Sequence, residues 1–326
     1  MSDFDLDTCV PVARRLTETA ARACTPWIGA ADKDAADAAA VDALRRVLAE
    51  ASIRGQIVIG EGEKDDAPYL APGSTVGADA SPKVDVAVDP LEGTRLVAEA
   101  RPGALSVLAL APAGSMMPLG RAFYMEKLIG PASVDTGLDL DASPAQVVEA
   151  VAEAQQISVS EVRVAVQERP RHDELVASIR DAGAQVHLFG EGDLSFALLA
   201  LRERGEGART QRTNEPIDLL WGIGGAPEGM LAAAAQRVLG GAMRLRPAPR
   251  SEEERARLRD DSALPDVLGQ TFQARDLVRT DTVVMALTGV TDGPLLAGVD
   301  PPEERQRAET LCLDSRNGPR RLATTQ

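Results

Sequence analysis

Two acidic residues, Asp89 and Glu92, follow the largely apolar run 84–88 and stand three positions apart, with Gly93 and Thr94 next. Two carboxylates at the exposed end of a buried strand repel each other, and a bound cation removes that repulsion. A threonine beside them is suited to holding a water molecule. The block therefore has the parts of a metal-dependent phosphoester hydrolase, although an Asp-Pro turn before a helix uses the same residue types.

Other acids occupy comparable places along the chain. Glu61 follows a strand predicted over 56–59, and Glu228 lies at the start of a predicted helix. Asp37 lies on the apolar stripe of the helix predicted over 33–52. If these elements converge with the first acid pair, they supply enough oxygen ligands for two or more divalent ions. For Asp37, the alternative is a solvated acid that favours the dipole at the start of its helix.

The composition restricts the ligands that the chain can bind. Its formal net charge of −15 and its 3% of aromatic residues do not fit a nucleic-acid-binding surface. Its three cysteines show no CxxC spacing and it has two histidines, so we expect an oxygen-only metal site, which favours Mg²⁺ or Mn²⁺. No apolar run is long enough to span a bilayer and no signal peptide opens the sequence, which predicts a cytoplasmic protein with no membrane partner.

The order of predicted helices and strands changes along the chain. From about residue 160, strands and helices alternate. This βαβαβα pattern predicts an α/β fold whose C-terminal half has a parallel, doubly covered sheet, with ligands beyond the carboxyl ends of its strands. We expect an N-terminal lobe, 1–150, that carries most metal ligands, and a C-terminal α/β lobe, 151–326. The polar tail after Ser315 is expected to fray.

Basic residues near loops fit the other end of an anionic substrate. Lys127, Arg169 and Arg171 lie near loops in a very acidic chain. Arginine suits phosphate because its planar group donates two parallel hydrogen bonds. Tyr124 adds a hydroxyl group. Taken singly, each of these cations is also compatible with an ordinary surface position.

The glycine-rich segment 222–229 has two interpretations. It follows a predicted strand and opens a helix, as a dinucleotide-binding fingerprint does. However, Pro227 stands where the third glycine of that fingerprint belongs, and no acid follows about 20 residues later. A turn whose backbone N–H groups approach a sugar or phosphate is the better interpretation.

Five blocks of the chain, in this order, resemble class II fructose-1,6-bisphosphatases of the lithium-sensitive sugar-phosphatase superfamily. They are Val-Ile-Gly-Glu-Gly-Glu at 58–63, Asp-Pro-Leu-Glu-Gly-Thr at 89–94, Tyr-Met-Glu-Lys-Leu at 124–128, Arg-Pro-Arg-His-Asp at 169–173, and the glycine-rich segment 222–229. The resemblance spans about residues 10–313. It implies a layered α-β-α-β-α sandwich, Mn²⁺ or Mg²⁺ as cofactor, and hydrolysis of fructose 1,6-bisphosphate to fructose 6-phosphate and phosphate in gluconeogenesis.

The resemblance also implies roles for single residues. The ligands of one metal ion would be Asp37 and Glu61, and those of the other Asp89, Glu92 and Glu228. The catalytic residues would be Lys33, Asp65 and Thr94, and the last two would orient the water that attacks the 1-phosphate. The substrate-binding residues would be Glu92, Gly93, Thr94, Tyr124, Arg169, Pro170, Arg171, Glu191, Gly192, Asp193 and Gly225.

The chain departs from the family pattern mainly on the substrate side. Ala30 stands where the family has arginine, Arg169 where it has lysine, and Glu191 where it has aspartate. Phosphate-monoester hydrolysis is therefore better supported than the identity of the sugar. Sedoheptulose 1,7-bisphosphate, an inositol phosphate or another sugar phosphate is an alternative substrate, and a non-catalytic sugar-phosphate sensor or an NAD oxidoreductase is an alternative class. We expect a homo-oligomer, either a dimer or a tetramer.

Overall fold

The computed structural model describes residues 4–60, 70–78, 82–120, 122–204, 216–260, 267–300 and 307–324. The chain forms two compact units. The first unit contains the described residues up to Pro118 and those from Val278 onward, and the second unit contains the described residues from Leu119 to Leu277. The lobes 1–150 and 151–326 remain a prediction about domains. The compact units have other bounds because the last strands of the chain join the sheet of the first unit.

The first unit is built on a seven-stranded sheet, and elements are numbered here along the whole chain. Its strands are β1 Arg54–Ile59, β2 Thr75–Gly77, β3 Lys83–Glu92, β4 Leu105–Pro112, β10 Val284–Gly289, β11 Ala308–Asp314 and β12 Gly318–Thr324. Its helices are α1 Leu6–Ala23, α2 Lys33–Ala49 and α3 Thr94–Ala98, with a short 3₁₀ helix at Thr25–Trp27. The strand order is β12-β11-β10-β4-β3-β1-β2, in which β1 and β3 are parallel and the other neighbours antiparallel.

Helix α2 forms within the range 33–52 that its apolar stripe predicts, and α1 precedes it. The Asp5 side chain accepts the N–H groups of Asp7 and Thr8 and so caps α1, and the Asp32 side chain accepts that of Ala35 and caps α2. Their apolar stripes lie in one aliphatic core with the strands of the seven-stranded sheet. The core fixes α2 against β3 and α3, which are the elements that carry the first acid pair.

The second unit is built on a five-stranded sheet. Its strands are β5 Tyr124–Gly130, β6 Arg163–Gln167, β7 Gln185–Phe189, β8 Leu219–Gly225 and β9 Ala242–Pro247. Its helices are α4 Pro144–Gln155, α5 Asp173–Asp181, α6 Asp193–Ala200, α7 Ala226–Leu239, α8 Glu252–Arg259 and α9 Ala274–Leu277, with 3₁₀ helices at Ala132–Gly137, Val159–Glu161 and Pro170–His172. The strand order is β7-β6-β8-β5-β9.

The α/β class is confirmed, but both sheets are mixed. In the second unit, β6 runs parallel to β7 and to β8, whereas β5 is antiparallel to β8 and to β9. The prediction of an entirely parallel sheet was therefore too broad. The alternation of strands and helices fixes the direction only of strands joined by crossover helices, and neither β5 nor β9 is placed by such a connection to a parallel neighbour.

The tail is also ordered differently from the prediction. It does not fray, because β12 forms an antiparallel hairpin with β11. The fully buried Asp314 holds the turn: its carboxylate accepts the N–H of Asn317 at 2.8 Å and Arg320 Nη2 at 2.6 Å. Burial raises the pKa of Asp314, but the hydrogen bonds from Asn317, Arg320 and the Arg316 N–H outweigh it, so the pKa lies below its usual value.

None of the helices that the structure describes combines the length and the apolar character that crossing a bilayer requires.

Candidate active site

The first acid pair lies where β3 ends. Asp89 is half-buried and Glu92 is 7% exposed. The pairing of β3 with β4 shifts register between these two residues, and Pro90, which has no N–H to donate, lies inside the shift. The Leu91 N–H donates to Asp89 Oδ1 at 3.0 Å. This irregularity sets the two carboxylates at the end of a central strand instead of continuing its ladder.

Gly93 turns the chain from β3 into α3. Its backbone is left-handed, with φ 86° and ψ 49°, and α3 begins at the next residue, Thr94. A left-handed backbone strains residues with a side chain, which is why glycine suits this position. The structure therefore brings Asp89, Glu92, Gly93 and Thr94 together in one turn, as the sequence predicted.

The predicted site residues of α2 lie at its N-terminal end. Asp37 is half-buried, and its charge, after burial itself, helps to raise the pKa of the Cys24 thiol to about 12. Lys33 is exposed and pairs with Asp34 at 2.9 Å. The segment before α2 is fixed to α3, because the N–H groups of Gly29 and Ala31 donate to carbonyls of that helix.

Two predicted residues, Glu61 and Asp65, lie outside the described residues. The strand that leads towards them is described: β1 is parallel to β3, and Ile59 lies opposite Ala87. The carboxyl end of β1 therefore lies at the same edge of the sheet as the carboxyl end of β3. Gly60 is the last residue described before Glu61.

In the second unit, the predicted substrate residues meet at one edge of the sheet. The parallel strands β6, β7 and β8 end there, so the segments that follow them come together. Because β5 is antiparallel to β8, its first residue, Tyr124, lies at this edge opposite Gly225. Because β9 is antiparallel to β5, its carboxyl end lies there too.

Arg171 and His172 close a gap beside β8. Strand β6 pairs with β8 only at Leu219 and Leu220, and further along two side chains replace the missing ladder bonds. The Ile223 N–H donates to His172 Nε2 at 2.8 Å, and the Ile223 carbonyl accepts Arg171 Nη2 at 2.6 Å and Nε at 3.1 Å. Arg171 Nη2 also donates to Gln167 Oε1 at 2.9 Å, so its guanidinium is held from two sides.

These bonds define the state of the His172 ring. Nε2 accepts from a backbone N–H, so the proton is on Nδ1, which donates to the Gln167 carbonyl at 2.7 Å. Burial lowers the pKa of His172, and the charges of Arg171, Arg169 and Arg250 lower it further. His172 is therefore neutral and structural, and it directly precedes α5.

The glycines of β8 are approached closely by side chains from other elements. Between Gly222 and Gly224, the Ile223 N–H is bonded to His172. A Cβ atom at Gly222 would lie 3.0 Å from the His172 ring, one at Gly224 would strike the Asp193 carboxylate, and one at Gly225 would strike that of Glu228. The glycines are needed because polar side chains from other elements approach this strand closely.

Asp193 and Glu228 form a charged group with the buried Lys127. Lys127 Nζ lies 2.8 Å from Asp193 Oδ2, and the side chains are 2% and 10% exposed. Glu228, on the first turn of α7, is close enough to both for their charges to act on it. Burial raises the pKa of Glu228, the charge of Lys127 lowers it and that of Asp193 raises it, with a net rise.

This group has the donor atoms and the charge to accept a cation. Glu228 Oε2 and Asp193 Oδ1 are buried and have no hydrogen-bond partner among the described residues. Two carboxylates share the single ammonium group of Lys127, so one negative charge is left uncompensated when both are ionised. Buried oxygen atoms of this kind suit a hard divalent ion such as Mg²⁺ or Mn²⁺.

Arginine residues cluster at the same edge of the second sheet. Arg169 Nη2 lies 3.7 Å from Glu191 Oε1. Arg250 has its guanidinium carbon 5.1 Å from the centre of the Tyr124 ring. Burial lowers the pKa of Arg171, and the positive charges of Arg250 and Arg169 lower it further. Sequence analysis missed Arg250 because the strand that carries it to this edge, β9, was not predicted.

Acids at strand ends in the first unit and arginines at strand ends in the second are typical of α/β phosphatases. The sequence profile described as bacterial fructose-1,6-bisphosphatase, glpX-encoded, matches residues 9–326. The chain is 38% identical over 310 residues to fructose-1,6-bisphosphatase 1 class 2 of Escherichia coli (strain K12), with 92% of this chain and 89% of the relative covered. The class 2 enzyme of Shigella flexneri gives the same values. The chain therefore belongs to the bacterial fructose-1,6-bisphosphatase family, and the resemblance found in the sequence is confirmed.

Proposed function

We propose that this protein hydrolyses fructose 1,6-bisphosphate to fructose 6-phosphate and phosphate, with divalent metal ions. The observation that carries the proposal is the family match over residues 9–326, together with 38% identity to enzymes of that name. The site geometry is in agreement, since it offers acids for cations and arginines for phosphate. Hydrolysis of this substrate produces a hexose monophosphate, as gluconeogenesis requires.

The metal ligands would be supplied by five acids. Asp37 and Glu61 would hold one ion, and Asp89, Glu92 and Glu228 the other; two or more ions of Mg²⁺ or Mn²⁺ would be bound. The partial burial of Asp89 and Glu92 and the unpartnered Oε2 of Glu228 support this assignment. Bound divalent ions supply positive charge that polarises a phosphoryl group and acidifies water.

Residues of the first unit would carry out the proton and water chemistry. Asp65 and Thr94 would orient the attacking water towards the phosphorus atom, and Lys33 would support catalysis by its charge. Thr94 is half-buried at the start of α3 beside Glu92, which supports a fixed hydroxyl position. Correct placement of a water accounts for much of the rate of in-line phosphoryl transfer.

The proposed substrate-binding residues are those that the family resemblance assigns. They are Glu92, Gly93, Thr94, Tyr124, Arg169, Pro170, Arg171, Glu191, Gly192, Asp193 and Gly225. The guanidinium groups would bind the phosphate that is not cleaved. Arg171 supports this role because its two anchored nitrogen atoms, Nε and Nη2, leave Nη1 without a partner in the described part of the chain.

A second candidate substrate is sedoheptulose 1,7-bisphosphate. Arg169 and Glu191 are two positions at which the chain departs from the family pattern, and they contact each other at 3.7 Å. The departures therefore form a pair on the proposed substrate side, where a longer sugar would differ. An inositol phosphate or another sugar phosphate is a further candidate.

Phosphate release tests the proposed function. We expect the purified protein to release phosphate from fructose 1,6-bisphosphate with Mn²⁺ or Mg²⁺, and to lose this activity in excess chelator. A panel with sedoheptulose 1,7-bisphosphate, inositol phosphates and sugar monophosphates ranks the substrates by kcat/KM. A binding-only sensor would release no phosphate from any of them, and that result would contradict the proposal.

Further features follow from the same assignment. We propose the layered α-β-α-β-α sandwich of the sugar-phosphatase type, with most metal ligands in the N-terminal lobe, 1–150, and most substrate contacts in the C-terminal lobe, 151–326. We also propose a cytoplasmic homo-oligomer, dimer or tetramer. Size-exclusion chromatography with light scattering tests the assembly.

A further inference from the structure

Arg250 is held at the proposed substrate edge by its backbone and by its side chain. Ala248, just after β9, donates its N–H to the Tyr124 carbonyl at 2.9 Å. The Arg250 N–H donates to Glu254 Oε2 at 2.6 Å. The side chain lies over the Tyr124 ring, with 5.1 Å between the guanidinium carbon and the ring centre, a distance that allows cation–π attraction.

The guanidinium of Arg250 is available to a ligand. The residue is exposed, and among the described residues its side chain makes the contact with Tyr124 but no hydrogen bond or ion pair. Glu254 accepts a hydrogen bond from the backbone N–H of Arg250. The Arg250 guanidinium, which has five N–H donors, is therefore exposed beside Tyr124, a residue of the proposed substrate site.

The surroundings of Arg250 favour an anion. Burial lowers the pKa of Arg171, and Arg250 and Arg169 are near enough for their charges to lower it further. Of the acids in this part of the second unit, Glu191 pairs with Arg169 and Asp193 Oδ2 with Lys127. Three guanidinium groups thus lie together in a chain of net charge −15, and an oxyanion relieves their mutual repulsion.

We propose that Arg250 is a substrate-binding residue that, positioned by the Tyr124 ring, binds the phosphate group that is not hydrolysed. This inference rests on the proposed function, because it assigns a residue to the distal phosphate of that same substrate. Arg250 then distinguishes a sugar bisphosphate from a sugar with a single, scissile phosphate. Arg171, anchored to Ile223, provides the rigid side of the same anion site.

Steady-state kinetics of Arg250→Met test the inference. We expect KM for fructose 1,6-bisphosphate to rise about tenfold or more, with a smaller change in kcat, because a charge-assisted hydrogen bond to the substrate is lost. For fructose 1-phosphate, which has no distal phosphate, kcat/KM stays within about twofold of the wild-type value. Arg250→Lys keeps the charge and recovers part of the loss.

Arg255→Met is the matched control. Arg255 is a half-buried arginine on α8, five positions on, and pairs with Glu252 at 3.4 Å; its replacement removes the same charge and leaves KM unchanged. A circular-dichroism melt shows whether each variant is folded. Equal KM values for Arg250→Met and wild type would overturn the inference, and so would equal losses with both substrates.

A binding measurement separates this inference from the proposed function. Calorimetric titration with fructose 6-phosphate in chelator involves no turnover, and we expect Arg250→Met to bind about tenfold or more weakly than wild type. If wild type releases no phosphate from fructose 1,6-bisphosphate, the proposed function fails, yet this titration still tests Arg250. Unchanged binding in the variant, or no binding by wild type, overturns the inference.

Discussion

The chain contains two Glu-Gly turns with the same backbone, one in each unit, and each turn has its own acids. In the first unit, Gly93 has φ 86° and ψ 49° and precedes α3; in the second, Gly192 has φ 84° and ψ 50° and precedes α6. The acid pair of the first turn, Asp89 and Glu92, lies within β3. In the second turn, Glu191 and Asp193 face basic side chains, Arg169 and Lys127.

The comparison shows that the same local turn occurs beside two different groups of acids. A left-handed glycine lets a strand pass directly into a helix and fixes the residues on both sides of it. The side chains that face each turn come from residues distant in sequence. Four predictions test the comparison, and their expected effects decrease in the order given.

Removing the cation beside the second turn has the largest expected effect on stability. Lys127→Met leaves Asp193 and Glu228 buried without a positive partner, and breaking a buried ion pair in this way costs about 3–5 kcal/mol. Urea unfolding followed by circular dichroism measures the loss. The exposed Lys83 provides the control variant Lys83→Met, for which we expect little change. A Lys127→Met protein as stable as wild type would show that the second turn does not need its cation.

Removing an acid of the first turn acts on turnover instead of stability. We expect Asp89→Asn to lower kcat by at least about a hundredfold, since changes to residues that merely support metal ligands already cost up to that factor. Its unfolding midpoint stays near the wild-type value. Asp42→Asn, at an exposed position on α2, is the control. Near-normal phosphate release by Asp89→Asn would remove this residue from the mechanism.

The shared backbone of the two turns predicts similar costs for adding a side chain. Gly93→Ala and Gly192→Ala each place an L-residue in a left-handed conformation, which costs about 1–2 kcal/mol. Equilibrium unfolding in urea measures both. At Gly93 the new Cβ would also approach Leu96 Cδ1 at 2.9 Å, the end of a side chain that has room to move. A loss in only one of the two variants would show that the turns are not equivalent.

Asp314 adds a third acid to the comparison. It lies at the end of a strand, and its carboxylate oxygens accept several hydrogen bonds. Its pKa is lowered in the folded protein, so its stabilising contribution is fully present above the unfolded value of 3.8 and is lost as the pH falls through the folded value. We expect Asp314→Asn to cost about 1 kcal/mol at pH 7. The difference in unfolding free energy between wild type and Asp314→Asn should narrow below the unfolded pKa. A gap independent of pH would contradict the assignment.

Elements that depend on local patterns were predictable. The segment from β6 to α7 alternates apolar strands with helices, and these elements occur where predicted. The turn at Asp89 was also predicted, because its acids, glycine and threonine lie within a few residues of one another and directly follow an apolar run. Local patterns specify such features since each is stabilised by neighbours in sequence.

Features that depend on distant partners were not predictable. Strand β9 joins β5, and Arg250 reaches Tyr124 only because of that pairing. The tail is polar, yet β12 forms because Asp314 accepts donors from it. Likewise, the glycines of β8 are explained by His172, Asp193 and Glu228, all contributed by other elements. Such contacts are fixed by the tertiary fold, so single-sequence patterns do not contain them.

The hydrogen bonds of Arg171 and His172 to Ile223 of β8 have a consequence for self-association. A strand whose N–H and C=O groups face an open gap is a template on which another chain can add. At Ile223 both groups are occupied by side chains, so no foreign strand can hydrogen-bond there without first displacing a buried imidazole and an anchored guanidinium. The opening between β6 and β8 is thereby protected from intermolecular strand insertion, a common starting point of aggregation.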